Sequence, residues 1–109
     1  MSEFIDFLSE VFIDFGELRS KRMFGGHGIY HQDLMIGLVA NNELYLKVDA
    51  LTEDKFRAVE SSPFQYNKNG KIVTMSYYQA PQEIFDEPRL AASWAQLAFE
   101  AAFRNAAKV

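Results

Sequence analysis

The sequence predicts a single α+β domain in which helices cover one face of a curved antiparallel sheet. Three observations predict it: an amphipathic helical stripe at the start, a stretch of alternating residues broken by turn-forming pairs, and a second helical pattern at the end. The predicted order is α-β-β-β-β-α-β-β-α. With 109 residues, 49% of them hydrophobic and 24% charged, the chain has a globular balance and room for one core, so residues 1–109 form one domain.

The first helix is predicted from apolar residues that recur at three- and four-residue steps. They are Phe4, Leu8, Val11, Phe12 and Phe15. Acidic residues repeat on the opposite side with the same period, at Glu3, Asp6, Glu10, Asp14 and Glu17. Ser2 is the expected N-cap and Gly16 the expected stop, so the helix carries an acidic ridge above an apolar stripe.

Four short strands are predicted over residues 18–49, where the period changes to two. Turn-forming pairs divide them at Gly25-Gly26, Gln32-Asp33 and Asn41-Asn42. The third strand, residues 34–39, is apolar on both faces and is therefore expected near the centre of the sheet.

The second half of the chain predicts a helix, a hairpin and a long final helix. Thr52 opens a short helix that runs to about residue 60 and buries Phe56 and Val59, and Asn69-Gly70 is the turn of a hairpin. Residues 80–88 are expected to be a loop. Pro88 then marks the start of a helix that extends almost to the C-terminus.

Composition excludes several classes of protein. The chain has no cysteine, which excludes disulfides and cysteine-ligated metals, and its acidic start is unlike a secretory signal. No apolar run approaches the ~20 residues of a membrane span. We therefore expect a cytoplasmic protein that does not enter a membrane. Its net charge of −4 disfavours non-specific phosphate binding as the main activity.

Two small basic islands nevertheless stand out. One comprises Arg19, Lys21 and Arg22, and the other comprises Lys68 and Lys71. Alternation along residues 72–78 places Tyr77 in the core and Tyr78 on the surface, where it could stack a ring. The candidate interaction surface predicted from the sequence is Arg19, Lys21, Arg22, Lys68, Lys71 and Tyr78.

No catalytic, metal or cofactor site is predicted. His27 and His31 lie four apart in a strand, which separates them by ~13 Å, so turn and edge positions explain them better than a metal pair. The glycines at 25, 26 and 28 could form an anion nest beside basic residues, but a bulge or tight bend is the preferred interpretation. No nucleophile, base and orienting group can be assembled from motifs.

Ordered segments across nearly the whole chain resemble the N-terminal domain of the TfoX/Sxy competence regulators. The matching segments are RMFGGHGIY (22–30), LMIGLV (34–39), LYLKVD (44–49), PFQY (63–66), GK (70–71), MSYY (75–78) and Trp94 with its following alanines. The resemblance implies a two-layer fold similar to secretion chaperones and no catalysis. It also implies a co-activator role, with the cyclic-AMP receptor protein, at DNA-uptake genes. Full-length regulators of this family usually carry a second, helical domain.

Three functions follow as hypotheses. The first is a regulatory module that contacts a protein partner, a transcription factor or a polymerase component. The second is direct nucleic-acid binding through the basic islands, which requires their five side chains to converge. The third is a small-ligand site at the glycine turn.

We also predict a homodimer from the last helix, whose sequence shows two apolar faces. Leu90, Trp94, Leu97, Ala98 and Ala101 are expected to cover the sheet. Ala92, Ala95, Phe99 and Phe103 are expected to form the dimer interface. The alternative is that the first helix packs on this second face within the same chain.

Overall fold

A computed structural model describes residues 3–23 and 25–107. Helix α1 spans Glu3–Val11, and strands β1 to β4 span Arg19–Met23, Gly26–His31, Leu34–Ala40 and Glu43–Lys47. Helix α2 spans Glu53–Ala58, strands β5 and β6 span Pro63–Lys68 and Lys71–Gln79, and a 3-10 turn at Gln82–Asp86 precedes α3, Pro88–Ala107. The predicted α+β class and element order are confirmed. The predicted N-cap, Ser2, lies outside the described residues.

All six strands belong to one antiparallel sheet in the order β1-β2-β3-β4-β6-β5. The turns predicted at Gln32-Asp33, Asn41-Asn42 and Asn69-Gly70 form, and both residues of each pair have positive φ. As expected, β3 lies at the centre, beside β4. Strand β6 pairs with β4, so the hairpin of β5 and β6 is added to one side of a four-strand meander.

The core lies between the sheet and the helices. Val39 pairs with Leu44 and Leu46 pairs with Tyr78, and all four are buried on the helix side. Helix α3 packs on β3 and β4. The residues that it buries are small: Ala91, Ala95, Ala98, Ala101 and Ala102. Four of them, Ala91, Ala95, Ala98 and Ala102, belong to the core cluster, and we call these four the alanine seam. Such residues let a helix approach a sheet closely.

Two local predictions were wrong. Residues 80–88 are not only a loop, because the 3-10 turn places Ile84 in the core at 0% exposure. Two adjacent apolar residues anchor this turn, the buried Ile84 and the half-buried Phe85, and the turn is too short to give a periodic signal. Val59, predicted to be buried, is 44% exposed because α2 ends at Ala58 and the chain turns there.

A bidentate ion pair joins the end of α3 to the loop after β4. Arg104 donates from Nε to Asp49 Oδ2 at 2.6 Å and from its terminal nitrogen to Asp49 Oδ1 at 3.0 Å. Asp49 Oδ1 also accepts from the Leu51 backbone N–H. The Arg104 guanidinium holds the pKa of Asp49 below its ordinary value, against the opposing effect of partial burial.

Across residues 3–23 and 25–107, none of the helices has both the length and the hydropathy needed to cross a bilayer.

Candidate functional site

None of the described helices packs on one face of the sheet, and we call it the open face. Side chains alternate along strands, so the residues between the core positions point to this side. Cross-strand pairs place Leu38 beside Tyr45 and Lys47 beside Tyr77. Leu38 and Tyr77 are only 8% and 7% exposed although they lie outside the main core cluster. Neighbouring side chains on the open face therefore cover one another.

Aromatic rings contribute to this cover. The rings of Tyr45 and Phe64 are 5.0 Å apart and meet edge-on at 67°, and Phe64 lies 6.2 Å from Tyr66. The ammonium of Lys47 lies 5.0 Å from the centre of the Tyr77 ring, in cation–π geometry. Tyr66 remains 39% exposed. The open face is thus an aromatic surface with its outer rings accessible to a partner.

Two tyrosines of this surface, Tyr45 and Tyr77, have a raised pKa and stay protonated at neutral pH. Burial raises the pKa of Tyr77 to about 12, and nearby Tyr30 adds to the effect. Burial also raises the pKa of Tyr45, and its hydroxyl donates to Glu43 Oε2 at 3.0 Å, which raises it further. Gln79 donates to the other oxygen of Glu43 at 3.3 Å. Tyr45 and Tyr77 therefore supply apolar surface and hydrogen-bonding groups and do not exchange protons near pH 7.

The basic residues predicted as one surface do not converge. Arg19 and Lys21 lie on the open face of β1, while Lys68 pairs with Lys71 at the tip of the β5–β6 hairpin. Three strands separate β1 from β6, which corresponds to roughly 19 Å. Arg22 pairs with His27 and points to the helix side. The prediction of a single basic patch is therefore wrong, because the two islands lie toward opposite edges of the sheet.

Tyr78 is also not a surface residue. It is 6% exposed, its ring lies 5.9 Å from Phe56, and its hydroxyl donates to Glu53 Oε2 at 2.6 Å. The alternation was identified correctly, but the faces were assigned in reverse. The apolar residues Val73, Met75 and Tyr77 belong to the open face rather than to the core. That face is apolar as well, so polarity could not distinguish the two sides.

The four residues predicted for a dimer interface do not share one exposed face. Ala95 belongs to the alanine seam at 0% exposure, and Ala92 is half-buried. Phe99 is half-buried 6.5 Å from Phe15 and 5.2 Å from His31, so the segment after α1 covers it, as in the alternative. Phe103 is 61% exposed. The predicted interface is wrong at Ala95, because this residue lies on the side of α3 that faces the sheet.

The histidine and glycine motifs have structural explanations. His31 packs between Phe15 and Phe99, and its Nδ1 donates to the Glu17 carbonyl at 2.8 Å. At Gly26 a Cβ atom would lie 2.2 Å from the Val39 carbonyl oxygen, so this glycine permits a close approach of two strands. In the part of the chain that the structure describes, no three His, Asp or Glu residues are grouped to hold a metal.

Comparison with known proteins agrees with this architecture. The family profile of the TfoX N-terminal domain matches residues 10–102. The chain is 28% identical over 97 residues to a protein named DNA transformation protein TfoX1 from Aliivibrio fischeri (strain ATCC 700601 / ES114). That match covers 85% of this chain and 46% of the relative, so the chain spans about half of that protein's length. From the family match, the chain belongs to the TfoX N-terminal domain family.

Proposed function

We propose that this domain is a non-catalytic regulatory module that binds a protein of the transcription apparatus in the control of DNA uptake. The partner is a transcription factor or a polymerase component. The observation that carries the proposal is the open face, a continuous aromatic surface on which Tyr66 stays 39% exposed and on which none of the described helices packs. Membership of a competence-related regulatory family supports the process.

Several properties of the open face favour a protein over a nucleic acid. The basic islands are separated across the sheet, and the carboxylate of Glu43 lies among the tyrosines, where it would repel phosphates. Phe64 is inclined by 28° to Tyr66 but meets Tyr45 edge-on at 67°, so the three rings do not form one flat platform for stacked bases. An apolar aromatic surface with polar groups between its rings is typical of protein interfaces.

The proposal excludes catalysis as the main activity. The family is regulatory, and the raised pKa values of Tyr45 and Tyr77 keep these two hydroxyls protonated at neutral pH. They supply contact area and hydrogen bonds to a partner.

Two substitutions on the β5–β6 hairpin test the proposal. Tyr66 lies on the open face, and Ile72, which is 63% exposed, points to the opposite face of the same hairpin. We expect Tyr66→Glu to reduce capture of the partner by about tenfold, because the carboxylate would be desolvated in an apolar interface. Ile72→Glu adds the same charge nearby and should leave capture unchanged.

The measurement is quantitative mass spectrometry of proteins crosslinked to the native domain in its source cell. It is paired with transcript levels of DNA-uptake genes in cells that carry each variant. Loss of both signals in Tyr66→Glu alone supports the proposal. Absence of transcription components among the captured proteins, or equal capture by both variants, contradicts it. A salt titration against single- and double-stranded DNA tests the nucleic-acid alternative.

A further inference from the structure

Strand β1 is an edge of the sheet with accessible backbone. It pairs with β2 on one side and lies at the end of the strand order. In an antiparallel ladder every second residue turns its N–H and C=O groups away from the neighbouring strand. Residues 19–22 are all exposed, so these outward groups face solvent. The edge is therefore a template on which another strand can pair.

Depressions of different chemistry border β1 on the two faces of the sheet. On the open face, Arg19, Lys21 and Tyr30 line a depression of about 410 Å³. On the helix side, a cavity of about 120 Å³ lies between β1 and α1. Leu8, Leu18 and Ile29 line it together with polar groups that include Asp6 and Ser9. Successive side chains of an added strand point to opposite faces. One set would meet the cations of the open face, and the other would meet a small cavity in which Leu8, Leu18 and Ile29 offer apolar contacts.

We propose that β1 binds an extended segment of a protein partner in which acidic and apolar residues alternate. About five residues would pair with β1 as an additional strand. The acidic side chains would lie on the open face beside Arg19 and Lys21, and an apolar side chain would enter the cavity beneath Leu18. This inference rests on the proposed function, since it assumes a protein partner, and it specifies the chemistry of that partner.

Charge makes a second copy of this chain a poor occupant of the edge. Strand β1 carries Arg19, Lys21 and Arg22 and no acid. Pairing two copies of β1 would bring six cations into one two-stranded ribbon, and like charges on directly opposed strands are destabilising. The same cations attract an acidic strand. They protect the edge from self-association while they select a partner of opposite charge.

A nucleic acid fits the edge less well than an acidic peptide. Asp6 lines the cavity on the helix side together with apolar residues, so that half of the site would repel a phosphate backbone. A nucleic acid also lacks the regularly spaced amide groups that continue a β-ladder. The proposed site needs both the ladder and the alternation of side chains.

Asp33 acts as an internal competitor for the acidic side chain. It forms an ion pair with Arg19, and the two side chains are 88% and 68% exposed. An exposed pair of this kind contributes little stability, so a partner carboxylate can replace Asp33. Removing the carboxylate in Asp33→Asn would free Arg19 and strengthen binding of the acidic segment by a few-fold.

The test uses a fluorescent eight-residue peptide of alternating Glu and Val and its block-ordered isomer, four Glu followed by four Val. Fluorescence anisotropy with the whole chain measures affinity, and amide hydrogen exchange locates the bound peptide. We expect the alternating peptide to bind more tightly than the isomer, more weakly as salt rises, and with slower exchange in residues 19–23. Arg19→Glu with Lys21→Glu should weaken binding by about tenfold.

The matched control is Lys68→Glu with Lys71→Glu, which changes the net charge by the same amount near the opposite edge of the sheet. It should change the affinity for the peptide by less than about twofold. Equal loss in both double variants, equal binding of the two peptides, or exchange protection outside β1 would overturn the inference. So would preferential binding of a single-stranded oligonucleotide by Arg19 and Lys21. Thermal unfolding of each variant verifies that these exposed substitutions leave the fold intact.

Failure here is distinguishable from failure of the proposed function. Peptide binding at β1 without capture of any transcription component would retain the edge site and contradict the proposed process. Capture that depends on Tyr66 but not on Arg19 and Lys21 would retain the process and contradict the edge site.

Discussion

Enlarging Ala95 to leucine tests the contact between α3 and the sheet. Ala95 is 0% exposed in the alanine seam, against β3 and β4. The larger side chain has no space there, so the helix must move away from the sheet, at a cost of about 1–3 kcal/mol. For a domain of this size each kcal/mol lowers the melting temperature by about 4 °C, which predicts a loss of roughly 4–12 °C.

Ala92→Leu on the same helix is the matched control. Ala92 is half-buried, and alanine and leucine have similar helix propensities, so its effect should stay within about 0.5 kcal/mol. Urea unfolding followed by fluorescence measures both, because Trp94 is the chain's one tryptophan and lies 4.7 Å from Phe56 in the core. Equal free energies of unfolding for the two variants would refute the proposed packing. It would also be refuted if Ala95→Leu kept its stability and changed its molecular mass instead.

Three other predictions use pH and mass. The pKa of Tyr77 is raised from 10.0 to about 12, so the contribution of its protonated form to stability is complete below pH 10 and is lost as pH rises toward 12. In alkaline unfolding, Tyr77→Phe should therefore lose less stability than wild type between pH 10 and 12. Arg104 lowers the pKa of Asp49 below 3.8. In acid unfolding, wild type should therefore be more stable than Asp49→Asn above about pH 4, and this difference should shrink as pH falls through the lowered pKa of Asp49. The homodimer stays a prediction, now centred on exposed Phe103: sedimentation equilibrium should show a wild-type mass above 12.5 kDa that Phe103→Glu reduces, and a monomeric wild type would disprove it.

The fold was predictable because local signals agree with one another. The turn pairs at residues 32–33, 41–42 and 69–70 require positive φ, which Asn, Asp and Gly adopt most readily, and they divide the chain into the observed strands. The apolar stripe that includes Leu8 and Val11 predicted the buried side of α1. These signals depend on neighbouring residues alone, and the sequence contains them in full.

The functional surface was less predictable because it depends on which strands become neighbours. The two basic islands are separated by the position of β6 beside β4, a long-range pairing with no local signal. Tyr77 and Tyr78 were exchanged because both faces of β6 are apolar near its end. Ala95 was assigned to the wrong face because α3 has alanines on all of its faces, so the sequence of this helix does not determine which side meets the sheet. One signal could have revealed the open face: Phe64 and Tyr66 alternate with polar residues toward the same side as Tyr45.

The short junction between β4 and β6 affects how the domain assembles. Strand β4 pairs with β6 only at Tyr77, Tyr78 and Gln79 of β6. The meander and the β5–β6 hairpin, in contrast, each pair residues that are close in sequence. Local hairpins form in microseconds, but the junction must first close the loop between Tyr45 and Gln79. We expect the hairpin to dock after the meander has formed. Until it docks, the apolar edge of β4 is unpaired, so this junction is where an incompletely folded chain is most exposed to aggregation.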